Sequence, residues 1–171
     1  MGTSAAFNST ASEQLRPVLL ACCDVPAWAD AVLAGRPYAD LDLLLEVADS
    51  AARTFTAEDV DRALAAHPRI GERANGSSVD AKWSRGEQSG VSQDLATAAA
   101  LMAGNQAYEQ RFGRVFLICA TGLSAEQILA ALQARLGNDD DTEAAVVAEE
   151  LRKIAILRLR KAIEELEVTS A

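Results

Sequence analysis

Between about Thr142 and Glu167 the side chains repeat with the period of an α-helix. Val147, Leu151 and Ile154 fall at i, i+4 and i+7, with Ala155 and Ala162 beside them, so one stripe of this segment is apolar over most of its length. A helix this long needs neighbours to cover that stripe. The residues available for the task are mostly small and aliphatic: 50% of the 171 residues are hydrophobic and only 5% aromatic. Ala and Leu favour helices, so the fold class expected is all-α, a single compact multi-helix domain.

Other segments agree. Leu41, Leu44, Leu45 and Ala48 share one helical face. Thr56 and Asp59 have the spacing of a capping box, and Val60, Leu64 and His67 follow it at helical intervals, with Pro68 stopping the helix at His67. A longer helix is expected from about Gln93 to Arg111, with Leu101, Asn105, Tyr108 and Phe112 in line; Gly104 inside it costs about 1 kcal/mol relative to Ala. Ser124 and Gln127 form a capping box for a helix that Gly137 ends. "FGRVFLICATG" fits a strand or a buried helix end, and periodicity does not separate the two. Residues 72–90 contain three glycines and little periodicity, as in a long loop or a short-helix connector. Residues 1–12 are small and polar and are expected to form a loose leader, with the domain proper spanning 13–171.

Charge and cysteine usage exclude several functions. The formal charge of −9 opposes phosphate tracking, so no nucleic-acid partner is expected, and an anionic ligand would need specific arginines acting at short range. The longest apolar run, near Val115 to Ala120, is far too short for a membrane span. Cys22, Cys23 and Cys119 suggest a reducing compartment, and Cys119 reads as an inert core thiol. With a single histidine and no CxxC, no metal site is expected. Nucleotide-binding glycine motifs and a GxSxG elbow are absent as well.

Three residues stand out. His67 is the sole imidazole, the side chain whose unperturbed pKa suits proton transfer near neutral pH; its plainer role is that of a core or capping residue. Arg158 takes the i+11 place on the apolar stripe of the last helix, where a guanidinium needs either a protein carboxylate or an anionic ligand to grip in bidentate fashion. Glu87, with Ser84 and Gln88, is either a solvated loop acid or part of a hydrogen-bonding segment. One acid, one imidazole and one guanidinium suffice for proton transfer without a cofactor.

Four blocks in order, "HPRIG" (67–71), "WSRGEQSGV" (83–91), "NQAYEQRFGRVFLICATG" (105–122) and "KIAILRLRKAI" (153–163), together with "CCDVPAWADAVLAGRPY" near the start, resemble the OHCU decarboxylase family. This family converts 2-oxo-4-hydroxy-4-carboxy-5-ureidoimidazoline (OHCU) to (S)-allantoin, the last step from urate. The resemblance implies an all-helical fold, no metal or organic cofactor and a homodimer. It also implies a functional link to urate oxidase and hydroxyisourate hydrolase.

It assigns proton donation to His67, the acidic partner to Glu87 and carboxylate binding to Arg158. It further places Pro68, Ser84, Arg85, Gly86, Glu87 and Gln88 at the substrate, with backbone contacts from Ile118, Cys119, Ala120, Thr121 and Gly122. Asp24-Val25-Pro26 stands where the family would carry a Gly-Ser type turn. The C-terminal "VTSA" is not a peroxisomal address, so a cytoplasmic location is expected. Two rival readings remain open: a helical interaction module without catalysis, and a hydrolase of a related ureide.

Overall fold

The computed structural model describes residues 3–70, 83, 87 and 95–170. Its described residues form eight helices and no strand. These are α1 (Ala5–Ser9), α2 (Ser12–Cys22), α3 (Pro26–Ala34), α4 (Leu41–Ala52), α5 (Ala57–Leu64), α6 (Leu95–Phe112), α7 (Ala125–Arg135) and α8 (Asp140–Ser170). The all-α expectation holds. The contacts group the chain into two compact units, one of residues 1–63 and 151–171 and the other of residues 64–150.

In the first unit α2 packs on α3 and α3 on α4. The apolar face foreseen for α4 is buried at Leu41, Leu44, Leu45 and Ala48, and Asp40 caps the helix by accepting from the Leu43 amide at 2.8 Å. Trp28 donates its indole N–H to the Ala48 carbonyl at 3.0 Å, and the Tyr38 hydroxyl donates to the Val32 carbonyl at 2.6 Å. Both rings are thus buried with their polar atoms paired. A side chain at Gly35 would collide with the Tyr38 ring, so only glycine fits there. The C-terminal part of α8 meets three other helices of this unit. Glu167 accepts from the Ala6 amide, Arg158 donates to the Ala21 carbonyl, and Arg152 pairs with Asp49.

Of the leader expected over residues 1–12, the structure describes residues 3–12. Ala5–Ser9 is helical and Phe7 is buried. Ser4 Oγ donates to the Tyr38 carbonyl at 2.9 Å, and Arg36 donates to the carbonyls of Phe7 and Thr10. Small polar residues carry no periodic signal, yet here they bind through the hydrogen bonds that their size allows.

In the second unit α6 packs on α7. Leu101, Tyr108, Ile128 and Leu132 share one core with Ile70, Phe116, Ile118, Ala120 and Ala125. A Cβ on Gly104 would sit 2.4 Å from Leu132 Cδ2, so this glycine marks the closest approach of the two helices. The Ser124–Gln127 capping box is present with both of its reciprocal bonds. "FGRVFLICATG" is neither of the two forms expected: α6 ends at Phe112, Gly113 adopts φ +72°, and residues 115–120 are in neither helix nor strand.

Candidate functional site

His67 does not close a helix, as the sequence reading had it. Helix α5 opens with the expected Thr56/Asp59 box and ends at Leu64, and the His67 amide then donates to the Leu64 carbonyl at 3.0 Å in a final turn. Pro68 disfavours helical dihedrals at the residue before it, so the chain leaves the helix ahead of the imidazole. His67 and Pro68 are half-buried.

The residues that follow are fastened to α6 at two points one turn apart. Arg69 donates through Nε to Glu109 Oε1 at 2.5 Å and through Nη2 to Oε2 at 3.2 Å, the fork-on-carboxylate arrangement that fixes orientation as well as distance. Four residues earlier on the helix, Asn105 Nδ2 donates to the Ile70 carbonyl at 2.8 Å. Asn105 is 5% exposed, and its Oδ1 has no hydrogen-bond partner among the described residues.

Ile118 and Ala120 belong to the same hydrophobic core as Ile70 and the α6 residues Leu101 and Tyr108. Ile118 and Ala120 are buried, Cys119 is half-buried, and Thr121 and Gly122 are exposed. The Leu123 amide donates to the Ala120 carbonyl at 3.0 Å, closing a turn in which Gly122 takes φ +81°, a conformation that L side chains rarely adopt. Ile70 and the Phe116–Ala120 stretch thus contribute to one core within the second unit, although more than forty residues of sequence separate them.

Glu87 is half-buried and Trp83 buried, both with helical backbone. Ser84, Arg85, Gly86 and Gln88 lie outside the described residues. Arg158 belongs to the first unit. It is 1% exposed on the stripe of Val147, Leu151 and Ile154, as the periodicity required. Its Nη1 donates to the Ala21 carbonyl at 3.4 Å, and its charge opposes the rise in the neighbouring Cys23 pKa. Burial, aided by Asp24 and Asp59, still pushes that thiol up to about 12, so Cys23 is no nucleophile near neutral pH.

The sequence reading missed a buried polar cluster. Glu143, 1% exposed, accepts from Arg135 Nε at 2.8 Å and Nη2 at 2.5 Å, from the Tyr108 hydroxyl at 2.5 Å and from Asn138 Nδ2 at 3.0 Å. Burial raises the Glu143 pKa, but these bonds and the arginine charge outweigh it and hold the carboxyl below the usual glutamate range. A signal was present: Glu143 lies four residues before Val147 on the stripe that identified Arg158, and Ile128, Leu132 and Arg135 form a second stripe.

The family model for OHCU decarboxylase matches residues 8–160. The chain is 32% identical over 142 residues to the 2-oxo-4-hydroxy-4-carboxy-5-ureidoimidazoline decarboxylase of Amia calva, with 81% of each chain covered. The chain belongs to the OHCU decarboxylase family. A decarboxylase of the same name from Haloferax volcanii is 28% identical over 137 residues, covering 78% of this chain and 79% of that one. A crystal structure of OHCU decarboxylase in the presence of (S)-allantoin has the same fold, with a TM-score of 0.70 at 24% identity over 91% of this chain and 99% of that one. The family match begins at residue 8, inside the stretch set aside as a leader. Among the described residues no helix is long and apolar enough to cross a membrane.

Proposed function

We propose that this enzyme decarboxylates OHCU to (S)-allantoin in urate degradation. The observation that carries the reading is the match of residues 8–160 to the family model, in a chain whose segment after His67 is fastened to α6 and whose Ile118 and Ala120 share a core with Ile70.

Loss of CO2 breaks the bond between the carboxylate carbon and the ring carbon. The electron pair moves into the adjoining carbonyl and C=N system, so the ring serves as its own electron sink. The carbon that lost CO2 becomes a ring carbonyl as its hydroxyl gives up a proton, and His67 delivers a proton to one face of the neighbouring ureido-bearing carbon, which fixes the configuration of the product. Arg158 grips the departing carboxylate in bidentate fashion. Glu87, Ser84 and Gln88 hold the ring hydroxyl and ureido groups so that the breaking bond stands perpendicular to the ring. Pro68, Arg85 and Gly86 contribute to the same binding surface. Backbone groups from Ile118 to Gly122 contact the substrate, and amides from Ala120 to Gly122 stabilise the developing oxyanion. In this reading the protein is a cytoplasmic homodimer acting after urate oxidase and hydroxyisourate hydrolase.

The test is circular dichroism at an allantoin band while those two enzymes generate OHCU in situ. Growth of the (S)-allantoin signal well above the protein-free rate supports the reading. A rate equal to the control overturns it.

A further inference from the structure

A buried ion pair is weak support for stability, because desolvation offsets much of its attraction. What Arg135 holds with its remaining nitrogen is therefore the more informative feature. Arg135 stands in the last turn of α7 and is 8% exposed. Two of its nitrogens go to Glu143 Oε1, and the third, Nη1, donates to the Leu117 carbonyl at 2.7 Å. Its guanidinium also lies 4.5 Å from the centre of the Phe116 ring, close enough for a cation–π contact. One side chain thus grips two consecutive residues of a segment with neither helical nor strand hydrogen bonding to set its path.

Two residues further on, the Cys119 amide donates to Glu150 Oε1 at 3.4 Å. The turn closed by Ala120 and Leu123 follows at once. Ile118 to Gly122, the backbone that the proposed function sets against the substrate, therefore begins immediately after the Arg135 anchor. Glu143 is itself fixed by Tyr108 from α6 and Asn138 from the α7–α8 connection, so the guanidinium cannot swing without breaking several buried hydrogen bonds.

We infer that Arg135, oriented by Glu143, is a positioning residue for the decarboxylation: it sets the course of the Ile118–Gly122 backbone on which the substrate rests. The inference rests on the decarboxylase reading. A planar fork is required, because an ammonium group at this position would keep the charge yet could not reach Glu143 and Leu117 together.

The experiment compares the full-length wild type with Arg135→Lys and Glu143→Gln, reading steady-state kinetics on freshly generated OHCU and amide hydrogen exchange along the chain. The expected result is a KM raised at least tenfold with a smaller fall in kcat. Amides 118–122 should exchange at least tenfold faster while those of α2 to α4 keep their wild-type protection. Glu143→Gln retains an acceptor for Arg135 and supplies the same readouts if Arg135→Lys does not fold. Kinetics within twofold of wild type in a folded variant overturn the inference, as does exchange that rises uniformly along the chain. An inactive wild type overturns the decarboxylase reading instead, and the exchange profile then still decides whether Arg135 anchors the segment.

Discussion

The side chain of Asn105, in the middle of α6, donates to the carbonyl of Ile70, three residues beyond the sole imidazole of the chain. Its replacement by leucine leaves that buried carbonyl unpaired, which costs about 1–3 kcal/mol. Asn105→Leu is expected to lower both the melting temperature and kcat, the latter at least fivefold, because the backbone after His67 loses a tie to α6. Thermal unfolding and OHCU turnover measured on the same preparation check this.

His67→Ala is expected to remove most activity, by about 10²- to 10⁴-fold as for other lost acid–base groups, while the helical dichroism is retained. A half-buried imidazole outside any helix supports little of the core. Turnover near the wild-type rate would sink its assignment as proton donor.

Arg158 lies deeper, at 1% exposure. Methionine fills much of the same volume without the charge, so Arg158→Met is expected to keep its helical dichroism and raise KM at least tenfold. Arg158→Ala is expected to lower stability as well, because it also leaves a void beside α2. Kinetics and melting curves of the two variants separate the charge from the packing.

Acid should act on the second unit through Glu143. Its folded pKa lies below the ordinary glutamate value of about 4.3. The stabilisation it provides is therefore complete above the ordinary value and is lost as pH falls through the lower, folded one. Wild type is expected to lose more stability than Glu143→Gln on acidification from neutrality to about pH 3, measured as the shift in urea midpoint.

Gly104→Ala offers a test of packing against propensity. Alanine in a helix gains up to about 1 kcal/mol over glycine. Here the added methyl would press on Leu132, which is fully buried, and overpacking costs about 1–3 kcal/mol. A lower melting temperature is expected.

Periodicity and capping chemistry made much of the helical framework legible. The face of α4, both capping boxes and the burial of Arg158 follow from spacing alone, since each depends on local geometry. What failed depended on partners distant in sequence. Phe7 sits in a stretch without pattern and is placed by Tyr38 and Arg36; Leu117 is fixed by a guanidinium eighteen residues away. His67 was misplaced by one turn because Pro68 was taken to stop the helix rather than to drive its predecessor out of it. His67, Glu87 and Arg158 were singled out by the residue types that proton transfer and carboxylate binding need. Arg135 and Glu143 were overlooked because charged residues in helices usually face water.

The bonds from α8 to α1, α2 and α4 join residues as far as 161 positions apart. During synthesis, residues 1–63 must wait for residues 151–171 to leave the ribosome before their unit can close. The second unit holds all its residues in one uninterrupted stretch and carries no such delay. Truncation near residue 150 would therefore damage the beginning of the molecule, leaving the faces of α2 to α4 open to self-association rather than merely shortening a tail.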